Sequence, residues 1–142
     1  MRFIIIAITT LLLTGTGAQA AEKVATLYKN PQCGCCEAYA EYLRENGFKV
    51  EVVATHDLTL IKRKHGVPES LDGCHTTLID RYVVEGHVPV RSLNRLLSKR
   101  PEVDGISLPG MPQGSPGMSG QKSGPFLIHQ FADGETKLFY ME

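Results

Sequence analysis

The chain has 142 residues, of which 42% are hydrophobic and 21% are charged, and this composition is typical of one globular domain. Its 15 lysines and arginines balance its 15 aspartates and glutamates. Because a protein that binds nucleic acid or an anionic membrane surface normally carries a basic excess, we expect no nucleic-acid partner and no electrostatic membrane contact.

The first 20 residues have the pattern of a secretory signal peptide. Arg2 gives a positive start, an apolar run extends from Phe3 to Leu13, and Ala18-Gln19-Ala20 supplies the small residues of a cleavage site. The apolar run is shorter than the roughly 20 residues that cross a bilayer as a helix. We therefore predict a signal peptide over 1–20 and one exported domain over 21–142, with no stable membrane insertion.

Strands and helices are predicted to alternate at the start of the mature chain. Residues 23–28 alternate as a strand, and a helical pattern then begins at Cys36 and stops at Asn46-Gly47. Residues 48–53 alternate again, and a short helix follows that ends by Gly66. The predicted order is β-α-β-α.

The middle of the chain has weaker patterns. Thr76 to Val84 is rich in β-branched and aromatic residues, which predicts extended structure that ends at Glu85-Gly86-His87. A helix should begin after Pro89, because proline suits a first turn, and should end before Pro101. Its buried face would consist of apolar side chains at helical spacing.

The last third combines a loop and a hairpin. Residues 105–125 are mostly Gly, Pro, Ser and Met, which predicts a long irregular loop, and strand-like runs at 126–131 and 137–141 flank the turn dipeptide Asp133-Gly134. Together with the β-α-β-α start, this layout predicts an α/β fold. The specific expectation is a thioredoxin-like sandwich with a central mixed sheet, helices on both faces and a long Gly/Pro/Met loop. Pro125 then takes the place of that fold's cis-proline.

Three cysteines crowd the predicted start of the first helix, where the helix dipole and free N–H groups lower thiol pKa values. They are Cys33, Cys35 and Cys36, and thiolates at such a place are nucleophiles or metal ligands. A structural disulfide is the alternative in an exported protein, but a vicinal Cys35–Cys36 bridge would be strained. Cys74, beside His75, leaves two interpretations open: a Cys36–Cys74 disulfide or an edge of a metal site.

The methionines of the predicted loop point to a particular metal. Pro109-Gly110-Met111 and Pro116-Gly117-Met118 repeat one triplet seven residues apart, where no apolar periodicity would carry them into a core. A flexible linker is the alternative. Thioether sulfur suits Cu(I), so thiolate, thioether and imidazole together indicate copper. The best placed imidazole is His87, whereas three further histidines are expected to be structural or exposed: His56, His65 and His129.

Five segments together match a known pattern. They are Pro31-Gln32-Cys33-Gly34-Cys35-Cys36, Cys74-His75-Thr76, Glu85-Gly86-His87-Val88-Pro89, Pro109-Gly110-Met111-Pro112 and Gly114-Ser115-Pro116-Gly117-Met118. They resemble the CopG-type family of exported metal-binding proteins, long catalogued as a domain of unknown function. The resemblance implies a thioredoxin-like fold, periplasmic copper binding and association with copper-resistance systems. It also implies copper ligands at Cys33, Cys35, Cys36 and Cys74, with His87, Met111 and Met118 as further contributors.

The predicted function is that of a periplasmic protein that sequesters, transfers or redox-handles copper through its cysteine cluster. The metal would be Cu(I), with room for more than one ion per chain, and partners would be copper ions and other periplasmic copper-resistance proteins. The alternative is a thiol-disulfide oxidoreductase that uses Cys33 and Cys36 as its exchanging pair, with Pro125 as a substrate clamp. Cys35 separates the two functions, because a metal cluster needs it and a simple exchange enzyme does not. Metal binding is therefore favoured over catalysis.

Overall fold

The computed structural model describes residues 22–142, and the predicted signal peptide over 1–20 lies outside them. No helix in the described part has the length and apolar character needed to cross a membrane. A short 3-10 helix at Glu69–Leu71 joins the second helix to the third strand. The regular elements, in chain order, are β1 (Lys23–Lys29), α1 (Gly34–Glu45), β2 (Phe48–Ala54), α2 (Leu58–Lys64), β3 (His75–Ile79), β4 (Tyr82–Gly86), α3 (Val90–Lys99), β5 (Gly105–Leu108), β6 (Leu127–Ala132) and β7 (Glu135–Met141).

The strands form one mixed sheet in the order β2-β1-β3-β4-β5-β6-β7. β1 pairs with β2 in parallel, as does β4 with β5, because a helix crosses over between the two strands of each pair. The other neighbours are antiparallel, and β6 and β7 form the predicted C-terminal hairpin. The predicted α/β fold with a central mixed sheet is therefore confirmed.

Alternate side chains of β4 show that helices cover both faces of the sheet. Val84 belongs to the larger core cluster, together with Leu43 of α1 and Leu93 of α3. Its neighbour Val83 points to the opposite face and packs in a smaller cluster with Leu71, which follows α2. The sandwich of helices on both faces is as predicted, while its assignment to the thioredoxin-like folds stays a prediction.

The segment from Thr76 to Val84 is extended, as predicted, but a turn that the sequence did not reveal divides it into the two strands of a hairpin. Asp80 adopts a left-handed backbone conformation with φ 54°, which aspartate tolerates better than most residues. The chain therefore reverses after Ile79, and β3 pairs antiparallel with β4. The high β propensity of the segment was informative, but it concealed the turn.

The predicted loop over 105–125 begins with a strand. Gly105–Leu108 is β5, which lies between β4 and β6 and is buried along its whole length. A strand buried on both faces lacks the alternation of apolar and polar residues by which strands are predicted. Residues 109–125 are irregular, as expected, and so is Phe126, because β6 begins at Leu127.

Candidate metal centre

The loop before α1 presents three cysteines, and Lys29 holds this loop in place. The buried ammonium of Lys29 donates hydrogen bonds to the carbonyls of Asn30 at 3.2 Å and Pro31 at 3.1 Å. It also pairs with Glu37 of α1 at 2.9 Å. The N–H of Cys33 donates to the Asn30 carbonyl at 3.1 Å and closes the turn into the helix. The cysteine loop is thus fixed to the strand before it and the helix after it.

Cys33 and Cys36 form a disulfide, while Cys35 and Cys74 are free thiols. The bridge between Cys36 and Cys74, one of the two interpretations of the sequence, does not occur. Cys33 and Cys36 are only 5.4 Å apart at their Cα atoms, because they are separated by one turn at the start of a helix, and this separation suits a disulfide. The Sγ of Cys36 lies instead 3.6 Å from the carbonyl oxygen of Cys74.

The four cysteine sulfurs converge at the start of α1. The Sγ of Cys35 is 3.5 Å from that of Cys33 and 3.9 Å from that of Cys74. All four sulfurs lie within 4.8 Å of one another. Cys74 immediately precedes β3, which pairs with β1, so the sheet brings it to Cys36 in the first turn of α1, which is 38 residues away from it in the sequence. The structure therefore places the four predicted cysteines together.

Two buried histidines, His75 and His87, contact the Sγ of Cys74, which also belongs to the sulfur cluster. The Nε2 of His87 is 2.9 Å from the Sγ of Cys74, and the Nδ1 of His75 is 3.3 Å from it. Burial lowers the pKa of both imidazoles below the ordinary 6.5, and His87 and Lys62 lower that of His75 further. Neutral imidazole is the form that binds metal ions. His75, which the sequence left open, is thus placed like His87, and its position next to Cys74 was the available signal.

The segment over 109–126, called the Met loop below, folds back onto the same place. The carbonyl of Pro116 lies 2.6 Å from the Nδ1 of His87 and can only accept a hydrogen bond, so Nδ1 carries the proton. The Nε2 lone pair of His87 is then directed at Cys74. Next in the chain, Gly117 packs against α1 so closely that a Cβ there would lie 2.9 Å from the carbonyl oxygen of Cys35. Only glycine allows this approach.

The two methionines of the Met loop differ in their surroundings. Met118 directly follows Gly117 and is half-buried, and its N–H donates to the Ser115 carbonyl at 2.9 Å. The side chain of Met111 is 41% exposed to solvent. The short contacts within the cluster run among cysteines and histidines. A ligand role for Met111 and Met118 stays a prediction.

Pro125 does not have the predicted geometry. No peptide bond within residues 22–142 is cis, so Pro125 is not the cis-proline that the sequence analogy suggested. It lines a groove with Pro109, Pro112 and His129, and no cysteine lines that groove. The reason is topological, because three strands separate β6 from β1, which at ~4.8 Å per strand amounts to roughly 19 Å. Pro125 therefore gives no support for a substrate clamp beside the disulfide.

Comparisons with known proteins show to which family the chain belongs. A family model described as a protein of unknown function, DUF411, matches residues 71–118, which include Cys74, His87 and both methionines of the Met loop. Two solved structures of a copper resistance protein, CopG, in its forms 2 and 1, are each 33% identical to this chain with a TM-score of 0.79. Each covers 86% of this chain, which in turn covers 99% and 98% of theirs. No protein with a curated description matches significantly. The chain therefore belongs to the family of the copper resistance protein CopG.

Proposed function

We propose that this chain binds copper as Cu(I) at the start of α1 and that it acts in copper resistance or homeostasis. The observation that carries the proposal is the convergence of four sulfurs and two neutral imidazoles in two groups that share Cys74. The donors are soft or intermediate, and neither group contains a carboxylate, so the set suits Cu(I) and not Mg²⁺ or Ca²⁺. Membership of the CopG family supports the same metal.

The proposed ligands are the four cysteines and His87, with Met111 and Met118 as further contributors from the Met loop. His75 joins them on its distance from Cys74. A thiolate sulfur can bridge two metal ions, and Cys74 belongs to both the sulfur group and the imidazole group. We therefore propose that Cys74 is the bridging ligand and that the chain holds more than one copper ion.

Loading of all four sulfurs requires a reduction step. The Cys33–Cys36 disulfide must take up two electrons and two protons, which a dithiol reductant supplies while it becomes a disulfide itself. The thiols then release their protons as the metal binds. In the oxidised chain only Cys35 and Cys74 remain as thiols, and of these two Cys74 is grouped with the two histidines. The oxidation state of one disulfide would thus control how much copper the chain holds.

The test of this function is an anaerobic titration of the fully reduced chain with Cu(I) in competition with a soft chelator. We expect more than one copper per chain and protection of all four thiols from alkylation. The exposed His56 lies outside the cluster, so His56→Ala is the matched control and should bind copper as the unchanged chain does. A reduced chain that leaves all Cu(I) with the chelator would disprove copper binding.

One observation favours a second function, thiol-disulfide exchange. The Cys33–Cys36 disulfide lies at a helix start, and the Cys35 thiol is 3.5 Å from the Sγ of Cys33. An oxidoreductase of this kind would reduce a test disulfide at the expense of a dithiol and would lose this activity on Cys33→Ser. Cys35→Ser separates the functions, since it should weaken Cu(I) binding and leave disulfide exchange in place.

Export to the periplasm is part of the proposal. The disulfide fits an oxidising compartment, and the sequence of residues 1–20 has the form of a cleavable signal. N-terminal sequencing of the chain from the periplasmic fraction should begin at Ala21. An intact Met1 on chain recovered from that fraction would contradict cleavage after Ala20.

A further inference from the structure

A buried carboxylate accepts hydrogen bonds from the residues on either side of the Cys74-His75 pair. Glu85 of β4 is fully buried. Its Oε1 accepts a hydrogen bond from the N–H of Gly73 at 2.7 Å, and its Oε2 accepts one from the hydroxyl of Thr76 at 2.7 Å. Gly73 and Thr76 are the residues immediately before and after the Cys74-His75 pair. A single side chain therefore restrains the segment that carries two of the candidate metal donors.

Lys62 of α2 completes this buried network. Its ammonium pairs with the Oε1 of Glu85 and donates to the hydroxyl oxygen of Thr76 at 3.1 Å. The side chains of Lys62 and Glu85 are only 5% and 0% exposed. Since a buried ion pair is often no more stabilising than apolar residues of similar volume, stability alone does not account for a charged pair here. Its geometry offers a better reason.

The same network fixes the distance between the Cys74 segment and His87. Glu85 lies opposite Thr76 in the β3–β4 ladder and two residues before His87. A Cβ on Gly73 would lie 2.8 Å from the Cα of Gly86, so the two glycine backbones are in direct contact. When the carboxylate holds Gly73 against Gly86, the Sγ of Cys74 and the Nε2 of His87 stand 2.9 Å apart.

We infer that Glu85 is a positioning residue of the metal centre, which holds the Gly73–Thr76 segment so that Cys74 and His87 face one ion. This inference rests on the proposed copper function. Glu85 is not itself a ligand, because its two oxygens are already engaged by Gly73, Lys62 and Thr76. It acts through the backbone N–H that it accepts and through the Thr76 hydroxyl.

Two double variants isolate this role. Replacing Glu85 alone would leave the charge of Lys62 buried and unpaired, so both variants also carry Lys62→Met. Lys62→Met/Glu85→Gln keeps an amide oxygen that can accept the Gly73 N–H, whereas Lys62→Met/Glu85→Leu has no acceptor. The pair differs in that acceptor at similar side-chain volume. Thermal unfolding of both variants establishes that they are compared as folded proteins.

The expected result is rescue by the glutamine variant. In anaerobic competition with a soft chelator, the reduced glutamine variant should match the unchanged chain, and the leucine variant should lose at least about tenfold in Cu(I) affinity. The copper–thiolate absorption band should change in the leucine variant alone. Equal affinities and equal absorption bands in the two variants would overturn the inference.

A measurement without metal separates this inference from the proposed function. In the reduced, metal-free chain, mass spectrometry can follow the alkylation of Cys74 by iodoacetamide, which should be faster in the leucine variant than in the glutamine variant. If the unchanged chain binds no Cu(I), the proposed function fails, and equal alkylation rates would still refute the positioning role independently.

Thr76→Val removes one tether and keeps the ion pair, so it serves if the leucine variant does not fold. Unchanged Cu(I) affinity and Cys74 alkylation in that variant would also overturn the inference.

Discussion

Cys74 lies where the two groups of candidate donors meet. Its Sγ is 3.9 Å from the Sγ of Cys35 and 2.9 Å from the Nε2 of His87. Burial, and after it the neighbouring Cys35, raise the pKa of the Cys74 thiol to about 12. In the metal-free chain this sulfur is therefore a thiol at neutral pH, and it donates its hydrogen to the Nε2 of His87. A metal ion that binds there must displace that proton.

We predict that Cys74→Ser weakens Cu(I) binding more than any other single cysteine replacement does. The reason is that Cys74 belongs to both donor groups, whereas the other cysteines belong to one. The reduced variant should bind fewer copper ions, and its affinity should fall by at least tenfold, which corresponds to about 1.4 kcal/mol. Anaerobic titration against a soft chelator measures both quantities, with Cys33→Ser as the comparison. A Cys74→Ser chain with unchanged stoichiometry would exclude the bridging role.

The sequence predicts which donor residues are present better than it predicts which cysteines form a disulfide. The three clustered cysteines are close to one another by local geometry alone, and Cys74 stood out because a histidine follows it. The spacing could not distinguish a Cys33–Cys36 disulfide from a Cys36–Cys74 bridge, since the second depends on distances that only the sheet sets. The hydrogen bond between Glu85 and Gly73 could not be predicted either, because it also depends on distances that the sheet sets.

Among the elements, the Met loop determines how the site is enclosed. Its Pro116 carbonyl orients His87, and its Gly117 lies against the first turn of α1. The backbone of the Met loop therefore shapes the metal centre, and it does so independently of the side chains of Met111 and Met118. Its glycines are needed at particular positions, and two of them allow a controlled comparison.

Gly117→Ala should disturb the site, whereas Gly110→Ala should not. Both glycines have a left-handed backbone, with φ 80° and 78°, so alanine costs about 1 kcal/mol of strain at either position. A Cβ at Gly117 would also collide with α1, 2.7 Å from the backbone nitrogen of Tyr39, while a Cβ at Gly110 meets nothing within 4 Å. Overpacking should bring the loss of unfolding free energy in Gly117→Ala to about 3 kcal/mol. Denaturant unfolding and Cu(I) competition would measure both effects, and equal losses in the two variants would contradict this view of the loop.

The elements that the sequence predicted correctly are those with a regular pattern. β1, α1, β2 and the C-terminal hairpin have clear alternation or helical spacing bounded by turn residues. The turn at Asp80 was missed because the β propensity of the residues around it concealed it, and the strand β5 was missed because it has no alternating pattern. β5 is recognisable only from its pairing with β4 and β6. Local pattern therefore predicted the outer parts of the fold better than its centre.

On the scale of the whole molecule, the disulfide and the copper site compete for the same sulfurs. Oxidation of Cys33 and Cys36 to a disulfide removes two of the four proposed cysteine ligands. The disulfide closes only a very short loop, so it adds little stability in return. The chain-entropy estimate for a loop of this size is about 2 kcal/mol, so its reduction should lower the unfolding free energy only modestly. The reduced chain would thus remain folded and gain ligands for copper.

Copper should therefore stabilise the reduced chain more than the oxidised one. A ligand that binds only the folded state adds about 2.7 kcal/mol at a free concentration 100 times its Kd. This gain would more than offset the loss of the disulfide, provided that all four thiols contribute. Thermal unfolding under anaerobic conditions, with and without buffered Cu(I), should show a clearly larger rise in Tm for the reduced chain. Equal rises in the two states would mean that Cys33 and Cys36 contribute nothing to the metal centre, and the site would then consist of Cys35, Cys74 and the two histidines.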